Sequence, residues 1–195
     1  MNHLAHFFLA ERSPEAVAGA LLGDFVKGKI GANDFPPLMR NEIIIHRRID
    51  AFTDTDAGLL DAKNRFVKTR RRLTGIVIDV AFDHFLAKNW ASYTAENLNI
   101  FAISAYRSIE THAHRFPVNF QTFLPRMIAD NFLAAYRDFR CVELALQRLS
   151  RRVRGGESLL GAFGELSANY IYFENLFRDF FPRLQKNVHE TRKNL

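Results

Sequence analysis

Cysteine is the scarcest chemistry-bearing residue in this chain: 195 residues contain one, Cys141. A lone thiol excludes an intramolecular disulfide and any multi-cysteine zinc site, so nothing asks for an oxidising compartment. Long apolar runs are missing too, since no stretch reaches the ~18 residues that a membrane span requires. The opening "HLAHFFLA" is too short and too interrupted for a signal peptide, and the charged "ERSPE" follows at once. These scarcities predict a cytoplasmic protein with no membrane partner. Period-two alternation of apolar and polar residues is also scarce, which argues against half-buried strands.

What is present is helical. Hydrophobic residues make up 48% and charged residues 25%, a globular composition. Nineteen phenylalanines supply bulky groups for helix-on-helix contacts. The length suits one core, so we expect a single all-α domain over 1–195 with about eight to nine helices. Ser13 and Pro14 open a helix as cap and first residue, expected to run to about Gly28. A loop rich in Gly, Asn and Pro covers 28–37, and the next helix carries "HRRIDAFTD" (46–54). Asp56 can cap a short helix ending near Lys68, and another covers roughly 70–90. Further helices are expected at about 95–114, 118–130, 131–153, 157–180 and 182–192, with breaks at Pro117 and Gly155-Gly156. No internal repeat or low-complexity tract interrupts this order.

Lys and Arg exceed Asp and Glu by 27 − 21 = 6, and the excess is clumped. The densest runs are "KTRRR" (68–72) and "RRVR" (151–154). Each is either a solvated helix end or a patch that attracts an anionic partner. No nucleic-acid-binding motif accompanies them, so nucleic acid is not an expected partner.

Two segments carry the candidate chemistry. In "HRRIDAFTD", His46, Asp50 and Asp54 recur every four residues and so stack along one helix side. In "GIVIDVAFDHFLAKNW" (75–90), the polar residues between Ile76 and Ala87 are Asp79, Asp83 and His84. Ile76, Asp79, Asp83, Leu86 and Trp90 share one stripe, and a helix so apolar on most sides is normally buried. An unpaired carboxylate there would cost several kcal/mol, so a metal ion, an arginine or protonation must compensate. Arg47 and Arg48 are available for pairing. Yet Asp24 in "ALLGDFV" and His6 in "HLAHFFLA" add more acid and imidazole than pairing needs. Nitrogen and oxygen donors without thiolate favour Mn²⁺, Mg²⁺ or Fe²⁺, with Zn²⁺ less favoured by so many carboxylates. His84 lies about 140° around the wheel from Asp79, which suits acid–base or supporting work. The plainer readings are a core histidine for His6 and a salt-bridge partner for Asp54.

In order along the chain, "MNHLAHFFLA", "GDFVKG", "HRRIDAFTD", "IDVAFDHFLAKNW" and "NYIYFENLFRDFFPRL" resemble the acyl carrier protein phosphodiesterase family. The likeness covers nearly the whole chain. It implies an all-helical fold distantly akin to the HD metal-dependent phosphohydrolases. It also implies a Mn²⁺-dependent hydrolase that removes 4′-phosphopantetheine from the serine of holo-acyl carrier protein. The motif positions carried over are His6, Asp24, His46, Arg47, Asp50, Asp54, Asp79, Asp83 and His84, and all are present. Two departures are the missing glycine before the histidine in "NEIIIHRR" and the missing proline after "TD" in "TDTDAG". The adjacent His-Asp order of true HD proteins is absent as well, because Asp83 precedes His84.

On this resemblance Asp24, His46, Asp50, Asp79 and Asp83 form the expected ligand pool, with His6 and Asp54 as further members. His84 and Asp83 would serve catalysis, and Arg47 would hold a phosphate oxygen. Carrier proteins of this kind are acidic, so Arg70, Arg71 and Arg72, or Arg151 and Arg152, should dock the substrate. The rival readings are a nucleotide phosphohydrolase and a non-catalytic helical module whose acids only pair with arginine.

Overall fold

The computed structural model describes residues 2–195, and among these it contains eleven α-helices, five short 3-10 segments and no strand. The helices are α1 (His3–Leu9), α2 (Pro14–Leu22), α3 (Pro37–Thr55), α4 (Ala57–Ala62), α5 (Thr74–Lys88) and α6 (Leu98–Thr111). They continue with α7 (Val118–Ala129), α8 (Phe132–Ala135), α9 (Arg140–Ser150), α10 (Ala162–Ala168) and α11 (Tyr170–Arg192). The all-α expectation holds, with more and shorter helices than expected.

α5 is the axis of the core. Its residues from Val80 to Ala87 are all buried, and α1, α9 and α11 pack against it. The phenylalanines make much of this interface: Phe82 meets Phe177 and Phe180, and Phe85 meets Phe177, with ring centroids 5.3–6.1 Å apart. Such tilted and edge-on contacts suit aromatic pairs and add to the burial of large apolar area.

Local chemistry explains several boundaries. Ser13 Oγ accepts from the Ala16 N–H and Pro14 begins α2, as the sequence suggested. Asp56 likewise caps α4 by accepting from the Leu59 N–H. α2 stops at Leu22, well short of Gly28, because the Asp24, Phe25 and Val26 N–H groups turn back tightly onto Leu21 and Leu22. The expected helix at 131–153 is split into α8 and α9 by a run of turns over 136–139. Pro182 breaks nothing. It lies inside α11, and the interruption falls earlier, at Asn169 between α10 and α11. Propensity alone disfavours an interior proline, but α11 is anchored by Phe177, Phe180, Phe181 and Leu184, all fully buried around it. No helix is long and apolar enough to cross a membrane.

Candidate functional site

The site begins with a helix too short to be stable alone. α1 has seven residues, and the side chain preceding it makes no capping bond. Its cap comes from α5 instead. Asp83, with no exposed surface, accepts from the Leu4 N–H at 2.8 Å and the Ala5 N–H at 3.1 Å. A carboxylate is favoured at such a positive helix end. This clamp fixes α1 and therefore aims His3 and His6, which lie three apart on one face.

α3 supplies the opposing wall. His46 and Asp50 are one turn apart on it, and the His6 and His46 rings stack with centroids 3.9 Å apart. His6 Nε2 is 3.3 Å from one Asp50 oxygen, and His46 Nε2 is 3.2 Å from the other. Among the described residues His6, His46 and Asp50 offer donor atoms within 4.8 Å of one another. Asp24, on the turn after α2, lies 3.6 Å from His46 Nε2 and 3.5 Å from His3 Nδ1.

Two backbone features bring Asp24 there. A Cβ on Gly23 would lie 2.1 Å from His46 Cγ, so only glycine lets this turn press against the imidazole. Arg47 donates to the Val26 and Gly28 carbonyls at 2.9 and 2.8 Å, which pins the loop beyond Asp24.

The electrostatics favour cation binding. His46 Nδ1 lies 2.7 Å from the Ala20 carbonyl, so it must carry a proton and donate. In the neutral ring Nε2 is then a bare lone pair facing two carboxylates, which requires a proton or a cation between them. Burial pushes His6 down to about 4 against the opposing pull of Asp50, with the neighbouring His46 adding to the fall. Partial burial works against the Asp50 charge, but bonds from His46 and His6 hold its carboxyl well below the usual range. The group therefore offers two imidazoles and the ionised Asp50 carboxylate as donors, with Asp24 at its open side. Such a set suits a divalent transition ion.

Of the sequence-nominated residues, His6, Asp24, His46 and Asp50 meet here. Asp79, half-buried on α5, lies outside the three-donor group, and its charge helps raise Asp83. Asp83 is turned to α1, and burial lifts its carboxyl to about 7 against the two backbone bonds. His84 faces elsewhere: Nδ1 donates to the Tyr136 carbonyl at 2.7 Å, and Nε2 accepts from the Tyr170 hydroxyl at 2.8 Å. Asp54 is exposed one turn beyond Asp50.

The basic runs divide. Arg70 is buried, bonding Glu165 through Nε and Nη2 and the Leu160 carbonyl through Nη1, so it is not available as an exposed docking cation. Arg71, Arg72, Arg151 and Arg152 are exposed. Sequence reasoning did not single out His3 or Gly23. The i, i+3 spacing of His3 and His6 was the available signal for one, and the glycine before Asp24 for the other.

A model of the family described as acyl carrier protein phosphodiesterase matches residues 1–184. Proteins named acyl carrier protein phosphodiesterase from Salmonella paratyphi A and Yersinia pestis are each 32% identical to this chain. The first aligns over 94% of this chain and 95% of its own length, the second over 96% and 97%. One from Photorhabdus laumondii is 31% identical over 96% of this chain and 95% of its own length. No solved structure matches.

Proposed function

The chain belongs to the acyl carrier protein phosphodiesterase family, and from that premise we propose that it hydrolyses holo-acyl carrier protein to the apo form. The reaction cleaves the phosphodiester that joins 4′-phosphopantetheine to a serine. The observation that carries the reading is the convergence of His6, His46 and Asp50 beside Asp24.

The fit of a divalent ion rests on the donor set itself. His6, His46 and Asp50 would hold it, with Asp24 completing the site. With Asp79 and Asp83 outside the three-donor group, the donors are richer in nitrogen than the sequence suggested. Mn²⁺ or Fe²⁺ suits them, Mg²⁺ less well, and the argument against Zn²⁺ weakens. A bound ion supplies Lewis-acid charge and a nucleophile at neutral pH, both needed because an anionic diester repels attack.

The rest falls to side chains. Burial lowers His3 while Asp24 opposes that shift, and its ring, 3.5 Å from Asp24, would serve as an acid–base group beside the reacting phosphate. Asp83 positions α1, and Arg47 positions the turn that carries Asp24. Arg71, Arg72 and Arg151 are the cations that would meet an acidic carrier. Intact-mass analysis of holo-carrier protein after incubation with the protein and Mn²⁺ tests the reading. Loss of the phosphopantetheinyl mass is expected, and an unchanged carrier at stoichiometric enzyme would refute it.

A further inference from the structure

A trough leads away from the site on the His3 side. Its first part is a cavity of about 90 Å³ lined by Asn2, His3, Phe123, Phe132, Tyr136 and Arg152, among others. An adjoining cavity of about 260 Å³ shares Phe132, Tyr136, Ala145 and Arg148 with it. His3 is thus a common wall of the trough and of the candidate metal centre, since its ring is 3.5 Å from Asp24. The trough has aromatic sides and a few convergent polar groups, which is the usual make-up of a small-molecule site.

Two arginines line it, and they differ. Arg148 is paired with Asp130 at 3.4 Å. Arg152 has its guanidinium 5.0 Å over the Phe123 ring, and no carboxylate pairs with it among the described residues. A guanidinium attracted to an aromatic face still has N–H donors to offer an anion. Tyr136 is fully buried and accepts a bond from the Asn2 amide at 2.9 Å, so this wall is fixed.

We infer that this trough receives the phosphopantetheine arm, with Arg152 as a specificity-determining cation at its phosphate end. The inference rests on the phosphodiesterase reading above. The arm is a thin chain with a phosphate at one end, then a dimethyl branch, two amides and a thiol. Its phosphate belongs at the His3 end, where Arg152 lines the first cavity but not the second. The dimethyl branch and methylenes then lie along Phe132 and Tyr136. The carrier's folded body stays outside, because only the arm is narrow enough to enter.

The test uses free 4′-phosphopantetheine and titration calorimetry in Mn²⁺ buffer, so it reads the trough without turnover. The full-length protein should bind it saturably. Arg152→Gln should weaken binding about tenfold, the loss expected for one bond to a charged group. Phe132→Ala should weaken it several-fold, while Arg140→Gln, the same charge change at the start of α9 and outside the trough lining, should leave it unchanged. Pantetheine lacking the phosphate should be indifferent to Arg152→Gln. Equal affinity in wild type and Arg152→Gln would overturn the assignment, as would inorganic phosphate binding as tightly as phosphopantetheine. Circular dichroism verifies that each variant is folded. Cleavage of holo-carrier protein with unaltered arm binding in the variants sinks the trough alone. Binding that follows this pattern without any cleavage sinks the catalytic reading alone.

Discussion

His6, His46 and Asp50 differ from the other polar groups of the core in what their surroundings require. Asp83 is satisfied by two backbone N–H groups and His84 by a carbonyl and a phenol. His46 Nε2 instead faces Asp24 and Asp50. Asp50→Asn should therefore lower Mn²⁺ affinity and turnover together, by at least about 100-fold; unchanged metal binding in calorimetry would count against the site. Asp83→Asn should behave differently. It loses one acceptor at the start of α1, costing roughly 1–3 kcal/mol in urea unfolding, yet should still load metal fully at saturation.

The titrations have opposite signs. His6, depressed to about 4, favours the folded state above 6.5, and that contribution is lost as pH falls from 6.5 towards 4. Asp83, raised to about 7, favours it at acid pH and loses that contribution as pH rises through 7. NMR of the metal-free protein should place the His6 midpoint near 4, and a midpoint near 6.5 would contradict the buried, stacked geometry.

At the scale of elements, close approach decides the site. Gly23 lets the turn after α2 sit on His46, and a methyl there must displace either the ring or the turn. Gly23→Ala should cost about 1–3 kcal/mol by overpacking and weaken metal binding although no donor is removed. Arg70 makes the complementary case, because it ties the 3-10 segment Lys68–Leu73 to Glu165 on α10. Its removal leaves the partly exposed Glu165 carboxylate only the Val67 N–H, so Arg70→Ala should destabilise by roughly 1–3 kcal/mol. A stability equal to wild type would mean that this pair is replaced by water at little cost.

For the whole molecule the relevant quantity is the excess of six positive charges. With Arg70 withdrawn into its pair, the proposed docking of an acidic carrier would fall to Arg71, Arg72 and Arg151. Exposed charges are screened over a Debye length of ~8 Å at physiological salt. The Michaelis constant for holo-carrier protein should therefore rise with added salt while the maximal rate changes little. Arg71→Glu with Arg72→Glu should mimic the salt effect, and a Michaelis constant insensitive to both would refute electrostatic docking.

The sequence by itself determined the helical class, the caps at Ser13 and Asp56, the burial of most of 76–87 and the residue types of the site. Each is local, set by periodicity, by cap chemistry or by the cost of placing polar groups in apolar surroundings. His46 and Asp50 were legible as a pair because one helical turn separates them on a single element. The tertiary structure alone decided which acid faces which partner. Asp24 and Asp83 look alike in sequence, each a carboxylate among apolar neighbours. Yet Asp24 swings out on a turn to meet His46, while Asp83 takes the bare N–H groups of α1. That choice depends on where α1 lies relative to α5, across 78 or 79 residues of chain. No periodicity encodes such a distance; only packing, by bringing a short uncapped helix against a buried carboxylate, assigns it.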